Sequence, residues 1–388
     1  MELLNTLVTD ISEDTKRITG LVKYDDGFEE EYWFEYPAQF SVSETGNPWL
    51  AALLPMAATI GEDLVISLPI DPRLLDAAND IMRIWKSWEF GTTLIKVVAK
   101  NGTSVIENYP KDSASFFSSG VDAFYTAYMK PRTKYKILIH GFDININKTE
   151  EFKIHFDRIS QAVDELGETI IPVRTNIRET RWKATRWQRV SHGSALASIG
   201  LLFEKHFHEL FISSSHNSYA DLNGNGSHPL SDPLYSTTRT NIIHDGDGVN
   251  RSEKIEYLSH KDLALKHLHV CIRGKEGTGQ DEVNCSHCEK CYRTMIAFDL
   301  YGGLEKCELF DLDKYNYYEV GNVFVISPDN VTDYLNMADM AKDQGKIELS
   351  NGIHKSLRRS KWIRRSFVLQ EMPILWRIPH KLIENSIF

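Results

Sequence analysis

The sequence predicts an α/β protein with a doubly wound parallel sheet, an extra N-terminal α/β domain and a zinc-bearing C-terminal part. From residue 113 onward, short strand-like runs alternate with helices long enough to cross back over a sheet. The first hundred residues have their own strands and a helix, and four cysteines cluster between Cys271 and Cys291. A length of 388 residues corresponds to two or three domains. The predicted domains are residues 1–110, 111–310 and 311–388.

The composition excludes several classes of protein. The chain has 44 basic and 54 acidic residues, and its 42% hydrophobic and 25% charged residues are typical of a globular protein. The net charge of −10 argues against a general affinity for nucleic acid. We expect no membrane span and no signal peptide, because the apolar runs are too short and the first residues lack a basic and an apolar region. Five cysteines in so long a chain are too few for a disulfide framework, so we expect a cytoplasmic protein.

The first hundred residues predict a unit that packs against the rest of the chain or docks a partner. Residues 17–22 and 30–40 are rich in strand formers and flank Asp25-Asp26-Gly27, which is a hairpin turn signal. Residues 71–88 have apolar side chains at helical spacing, and residues 92–98 predict another strand. We find no catalytic constellation in this region.

The alternation of strands and helices defines the predicted sheet domain. The predicted strands are residues 113–117, 135–139, 169–173 and 210–213. The predicted helices between them include residues 150–166 and 190–205. Sheets of this kind bind ligands beyond the carboxyl ends of their strands. After Cys291 the chain predicts helices, most clearly over residues 330–342 and 355–369.

The segment after the first of these strands predicts a phosphate-binding loop. Ser118, Ser119 and Gly120 form a turn of small residues, and Val121 and Asp122 then enter a helix. Such a turn exposes backbone N–H groups at a helix N-terminus, where a phosphate anion can bind. An ordinary turn with a helix cap is the alternative.

The second strand ends in His140, Gly141 and, two residues later, Asp143. A glycine lets a ligand approach the backbone, and Asp143 can accept a hydrogen bond from a ribose hydroxyl. With the loop, this pattern resembles the PP-loop ATP-pyrophosphatase family, whose signature is Ser-Gly-Gly-x-Asp-Ser. The resemblance implies a PP-loop (HUP-like) fold and a loop that holds the pyrophosphate of ATP, with Mg²⁺, while a substrate is adenylated. The chain departs from the signature at Ser119 and Ala123, so an inactive relative is the alternative.

Four cysteines have the spacing of a metal site. They are Cys271, Cys285, Cys288 and Cys291. Four thiolates in closely spaced pairs satisfy tetrahedral zinc and leave no open position for catalysis, which predicts a structural Zn²⁺ ion. A redox pair of cysteines is the alternative. Cys307, in an apolar segment, is predicted to be a buried free thiol.

A PP-loop domain followed by this cysteine pattern and Arg293 resembles 7-cyano-7-deazaguanine synthase, over residues 113–298. It is closer still to synthase-like proteins of bacterial anti-phage systems, some of which are understood to attach a deazaguanine to a protein amino group. The resemblance implies an ATP-dependent ligase that activates 7-carboxy-7-deazaguanine, releases pyrophosphate and AMP, and forms a C–N bond. The amine is ammonia or, in keeping with the extra N-terminal domain, an amino group of a partner protein.

Other site residues are assigned on this resemblance. His192 and Gly193 are candidates for the adenylate pocket, and a locally packed helix start is the alternative. His228 and Asp232 lie in a proline-rich segment, where the synthases recognise their substrate. Asp232 can accept hydrogen bonds from the amidine edge of a deazaguanine, although such turns also arise for structural reasons.

Arg251 and Lys254 lie three residues apart at a predicted helix start. Cations there oppose the helix dipole, which indicates that they hold an anion such as the α-phosphate or the leaving pyrophosphate. An exposed charge pair with Glu253 is the alternative. With Asp122, these two residues are the predicted catalytic residues.

Two other functions are weighed against the ligase. A non-catalytic subunit that binds a nucleotide or a partner within a defence complex is favoured by the departures at Ser119 and Ala123. A tRNA-thiolating enzyme is less favoured, because its cysteines must be free to carry sulfur. The basic run at residues 355–365 predicts a solvated helix face, and binding of an acidic partner or of nucleic acid is the alternative.

Overall fold

A computed structural model gives the fold of residues 1–107, 109–215, 219, 222–271, 283–327 and 330–370, with side chains up to residue 361. The chain divides into two compact units, Met1–Asn250 and a second that begins at Arg251. The division into three functional domains stays a prediction. Within the described part of the chain, no helix has the length and apolar character needed to cross a membrane.

The first unit is built on one sheet of ten strands. The strands are β1 (Glu2–Asp10), β2 (Thr15–Lys23), β3 (Glu29–Pro37), β4 (Leu64–Ile66), β5 (Val97–Ala99), β6 (Asp112–Phe116), β7 (Tyr135–His140), β8 (Thr169–Thr175), β9 (Phe207–Ser213) and β10 (Asn241–Asp245). Their order is β10-β9-β6-β7-β8-β3-β2-β1-β4-β5. Most neighbouring pairs are parallel, and the antiparallel pairs are β1–β2, β2–β3 and β3–β8. The predicted α/β class with a mostly parallel sheet is confirmed.

The helices of the first unit alternate with these strands. They are α1 (Asn47–Ile60), α2 (Pro72–Ser87), α3 (Val121–Met129), α4 (Thr149–Glu165) and α5 (His192–Leu202). The predicted helix over residues 71–88 is α2, whose N-cap Asp71 accepts a hydrogen bond from the backbone N–H of Arg73 at 3.0 Å. The predicted helix over 190–205 is shorter, because a π-helical turn, Trp187–Ser191, precedes α5.

Strands β6 to β10 form the parallel half of the sheet. If β6 to β10 are renumbered 1 to 5 in chain order, their order across the sheet from β8 to β10 is 3-2-1-4-5. This is the order of open doubly wound sheets. The right-handed crossover rule puts α3 and α4 on one face and α5 on the other. The direction of winding reverses between β6 and β9, so the loops after these strands diverge at the carboxyl edge. Such sheets bind ligands in that crevice.

The sheet continues from the first hundred residues into the predicted sheet domain. Phe34 and Glu35 of β3 pair with Thr175 and Arg174 of β8. The side chain of Asn176 extends this ladder, since its Oδ1 accepts the N–H of Trp33 and its Nδ2 donates to the carbonyl of Glu31, both at 2.9 Å. The sequence predicts an extra domain here, and the structure joins it to the parallel half through one continuous sheet.

Two further elements differ from the sequence predictions. The predicted strand over residues 92–98 is reduced to β5, because Thr93 and Lys96 donate their N–H groups to the Ala58 carbonyl and the Asp63 side chain instead of to a strand. Helix α1 is not predicted from the sequence, since its apolar run contains Pro55.

Helix α1 tolerates an internal proline because α5 replaces the missing hydrogen bond. Pro55 has no N–H for the carbonyl of Ala51, four residues earlier. The hydroxyl of Ser194 in α5 donates to that carbonyl, and Nε1 of Trp182 donates to the next one, Ala52, at 2.7 Å. A buried polar group is thus satisfied through tertiary contacts.

A buried carboxyl fastens the segment before α1 to the end of α5. Glu204 accepts hydrogen bonds from the hydroxyls of Ser43 and Thr45 and from Nδ2 of Asn47. Burial raises the pKa of Glu204, and these three hydrogen bonds oppose the rise.

The second unit is helical. Its helices include α6 (Arg251–Leu258), α7 (Asp262–His267), α8 (Glu289–Tyr301), α9 (Tyr317–Val320), α10 (Asn330–Asp343) and α11 (Ile347–Gln370). On α11, Arg358, Arg359 and Lys361 are exposed, as predicted for a solvated face. Two of the cations also make contacts, since Lys355 lies 5.0 Å from the ring centre of Tyr318 and Arg359 donates to the carbonyl of Gly321.

Candidate functional site

The predicted phosphate loop lies at the carboxyl end of β6 and leads directly into α3. Gly120 is the residue before the helix, in an extended conformation, and it has no side chain to cap the helix start. The first-turn N–H groups of an α-helix have no partner within the helix. At the point where the strand order reverses, this helix start can bind an anion.

Ser119 gives the loop its turn. It is buried and has a φ of 61°, in the left-handed region that favours glycine. The PP-loop signature, which this segment resembles, has glycine at this position. Serine therefore adopts the turn, at a cost of about 1–2 kcal/mol. Ser118 is exposed, Val121 and Ala123 are buried, and Asp122 lies half-buried in the first turn of α3.

The end of β7 is ordered by contacts within the protein. His140 is buried, stacks on the ring of Phe152 at 4.2 Å and donates from Nε2 to the carbonyl of Asn145 at 3.0 Å. Gly141 has a φ of 110°, and a Cβ there would lie 2.1 Å from the carbonyl oxygen of Thr175. The glycine is thus needed for packing against the end of β8, whereas the sequence suggested approach by a ligand. Asp143 is exposed.

Several predicted residues meet in one buried network. Asp232 is fully buried and accepts hydrogen bonds from Ser227 Oγ (2.7 Å), the N–H of His228 (3.1 Å) and His244 Nδ1 (2.8 Å). A Cβ at Gly193 would lie 2.2 Å from Asp232 Oδ1, so glycine is required at the start of α5. These hydrogen bonds order the segment around Asp232, and the predicted role of Asp232 toward a substrate stays a prediction.

Burial favours the neutral form of both histidines that are predicted to bind ATP. Burial lowers the pKa of His192, with nearby Asp143 and Asp232 opposing and Arg178 adding to the shift. Burial also lowers the pKa of His140. Positive charge for a phosphate ligand must therefore come from other groups.

Arg251 and Lys254 begin α6 and are both buried, whereas Glu253 is exposed. The alternative of an exposed charge pair therefore does not describe Arg251 and Lys254, since both cations are buried. Buried cations need compensating partners. Their role toward phosphate stays a prediction.

The four predicted metal ligands come together in the second unit. Their sulfur atoms all lie within 4.8 Å of one another, and Cys285 Sγ is 3.8 Å from Cys291 Sγ. Four sulfurs at about 2.3 Å from a zinc ion lie about 3.8 Å apart. Cys271, Cys285 and Cys291 are buried, and Cys288 is half-buried. The cluster can hold a metal ion such as zinc.

The pKa shifts of the four cysteine thiols also favour binding of a cation. Hydrogen bonding to Cys285 first, then to Cys288 and Cys291, lowers the pKa of Cys271. Hydrogen bonding among the same thiols, to Cys271 first, raises the pKa of Cys291. The first proton is lost readily and the last with difficulty, and a bound divalent cation removes that difficulty.

Residues around the cysteines hold the ligands in place. Asn284 Oδ1 accepts the N–H groups of Val270 (2.9 Å) and Cys271 (3.2 Å), and the N–H of Cys288 donates to Cys285 Sγ at 3.3 Å. Arg293 lies near Glu289 and Asp333 and bonds to Asn330, so it connects α8 to α10. Such supporting contacts orient metal ligands.

Two residues at the end of β10 have no role in the sequence analysis. His244 is the buried partner of Asp232, and Asp245 accepts hydrogen bonds from Thr126 Oγ1 (2.9 Å) and Lys130 Nζ (3.1 Å), which fixes α3 to β10. A His-Asp pair at the end of a strand before a glycine is the signal that could have indicated them.

Comparison of the chain with protein-family models, curated proteins and solved structures found no match.

Proposed function

We propose that this chain is an ATP-dependent ligase of the PP-loop ATP-pyrophosphatase family, similar to 7-cyano-7-deazaguanine synthase. It activates the carboxylate of a 7-deazaguanine with ATP, releases pyrophosphate and forms a C–N bond with release of AMP. One observation carries the proposal: the start of α3 follows β6 at the reversal of the strand order, where doubly wound sheets bind ligands.

Residues 118–122 hold the phosphate groups of ATP in this proposal. The first-turn N–H groups of α3 and the dipole of the helix complement their negative charge. Mg²⁺ is the expected counter-ion of the triphosphate. His140 and His192 contribute as neutral hydrogen-bonding groups, because burial lowers the pKa of each.

The acceptor is ammonia or an amino group of a protein, and we favour a protein within an anti-phage defence system. Strands β1 to β3 extend the sheet well beyond its parallel half and offer additional surface for a protein. In the four-cysteine cluster we propose a structural zinc ion, since four thiolate ligands leave no open coordination position.

A second function has its own support. The left-handed Ser119 and the missing hydroxyl at Ala123 favour a subunit that binds a nucleotide or a partner without catalysis.

Incubation with ATP, Mg²⁺ and 7-carboxy-7-deazaguanine separates the two functions. The ligase releases pyrophosphate, and with ammonium or a protein amine the product gains the mass of a new amide. A chain that binds ATP tightly but releases no pyrophosphate with any amine supports the non-catalytic function and contradicts the ligase.

A further inference from the structure

A cavity of about 370 Å³ lies along β10, the outermost strand of the parallel half of the sheet. Its wall includes the strand from Asn241 to His244, Pro229 and Pro233 on the facing segment, Arg73 from α2, and Asp247, which follows β10. This volume is in the range of ligand-binding sites in proteins.

Arg73 carries a positive charge at the Asn241 end of this cavity, and Asp247, three residues after His244 in the chain, carries a negative charge. Nη1 of Arg73 donates to the carbonyl of Thr237 at 3.0 Å and to Oδ1 of Asn241 at 3.2 Å, and both acceptors are uncharged. Among the residues that the structure describes, no carboxylate forms an ion pair with Arg73. A guanidinium oriented in this way has further N–H groups that suit a carboxylate.

The register of the sheet gives the position of the Arg73 charge relative to the end of β6, which the phosphate loop follows. His244 pairs with Ile212 of β9, and the preceding residue, Phe211, pairs with Ser115 of β6. The His244 end of the cavity is therefore level with the end of β6, two strands and about 10 Å away. Asn241, which holds Arg73, lies three residues earlier, or about 10 Å along the strand.

The edge of β10 is partly occupied. The N–H of Ile242 donates to Ser236 Oγ at 3.0 Å, and two prolines line the facing wall. Prolines and occupied donors discourage the addition of another strand. A ligand in the cavity is therefore held by side chains.

We infer that the cavity binds an extended peptide whose amino group lies at the phosphate-loop end and whose carboxylate, about three residues farther on, pairs with Arg73. The position of the amino group rests on the proposed function. There the amine nitrogen forms a bond to the acyl carbon while the bond from that carbon to AMP breaks. AMP leaves with the electron pair, and the amine nitrogen passes its excess protons to water and keeps one as the amide N–H. The carboxylate belongs to an acidic fourth residue or to the C-terminus of a tripeptide.

Peptide affinities without ATP test this inference. We expect calorimetry to give Gly-Ala-Ala-Glu-amide a Kd about two- to fivefold lower than Gly-Ala-Ala-Gln-amide, the range for a partly exposed ion pair. If the carboxylate is a C-terminus, Gly-Ala-Ala with a free C-terminus should have a lower Kd than Gly-Ala-Ala with an amidated C-terminus. Arg73→Glu should reverse the preference, so that Gly-Ala-Ala-Lys-amide binds better than the Glu peptide. Arg83→Glu, at an exposed position on the same helix and outside the cavity wall, should keep the wild-type preference.

Equal affinities for charged and neutral peptides, no peptide binding by the wild type, or the same change in Arg83→Glu would each overturn the inference. Exchange of labelled pyrophosphate into ATP with 7-carboxy-7-deazaguanine needs no acceptor amine. Its absence in the wild type contradicts the proposed ligase, while the peptide preference is measured independently of it.

Discussion

The four-cysteine cluster and the phosphate loop are both predicted from short motifs, but their geometry establishes different things. In the cluster, four sulfur atoms lie within 4.8 Å of one another, and their chemistry selects a soft divalent metal ion. In the loop, backbone N–H groups at the start of α3 and the turn at Ser119 select only the sign of the ligand charge. The side chains of the cluster thus indicate which metal ion binds. A site made of backbone N–H groups indicates only that an anion binds, and an assay of the reaction is needed to identify that anion.

The largest expected effect is in the cluster. Cys288→Ser should lose about one zinc per chain and lower the solubility of the protein, because the binding free energy of a structural metal is part of the folding free energy. Metal analysis by mass spectrometry and a thermal melt measure both effects.

Cys307→Ser is the matched control for this substitution. Burial raises the pKa of Cys307 to about 12, and this cysteine is not a member of the four-sulfur cluster. The Cys307→Ser variant should therefore keep its metal ion. Wild-type protein without zinc, or with the absorbance of an iron–sulfur cluster, contradicts the assignment.

A smaller effect is expected at the turn of the loop. Ser119→Gly should raise the free energy of unfolding by up to about 1 kcal/mol, since relief of the left-handed backbone is partly offset by the greater freedom of glycine in the unfolded chain. In a ligase, pyrophosphate release should be kept or increased. Denaturant unfolding and the pyrophosphate assay measure the two effects.

Glu89→Gly controls for backbone strain alone, because Glu89 also has a positive φ, 57°, and lies outside the loop. It should change stability but not pyrophosphate release. If the two variants alter pyrophosphate release equally, Ser119 has no special role in the loop.

The smallest effect concerns the buried Glu204, which neither motif includes. Because its pKa is raised in the folded state, Glu204 binds its proton more tightly there than in the unfolded chain. Its contribution to stability is full below its ordinary pKa of 4.5 and is lost as the pH rises through the higher folded value. Glu204→Gln should remove this decline.

Urea unfolding over a series of pH values measures the dependence. Glu44→Gln, at an exposed position of the same N-terminal segment, should keep the wild-type decline. A wild-type stability that rises with pH over this range, with Glu204→Gln unchanged, contradicts the role given to Glu204.

The sequence predicts the parts of the fold that depend on local patterns. The strand–helix alternation, the hairpin at Asp25-Asp26-Gly27 and the helix capped by Asp71 all depend on neighbours in the chain. Pairing of β3 with β8 depends on Asn176 and Thr175, far from β3 in sequence, and α1 depends on a hydroxyl from α5 to compensate for Pro55. Such contacts leave no periodic signal.

The same limit applies to the candidate site. Cysteine spacing predicts the metal ligands, because all four are side chains with one chemical role. Spacing gives no indication that His244 and Gly193 surround Asp232, since these residues meet only when β10 and α5 are assembled. The role of Arg73 depends likewise on the approach of α2 to β10.

The most direct test of the central claim is pyrophosphate exchange in Asp122→Ala, measured beside a thermal melt. Asp122 lies in the first turn of α3, where an acidic side chain stabilises the helix start by about 1 kcal/mol. We predict wild-type exchange that requires 7-carboxy-7-deazaguanine, a loss of about 100-fold or more in the variant because the phosphates are misplaced, and a nearly unchanged Tm. Asp157→Ala, at an exposed position on α4, should behave as the wild type. An Asp122→Ala protein that melts normally and exchanges pyrophosphate at the wild-type rate would contradict the assignment of this loop.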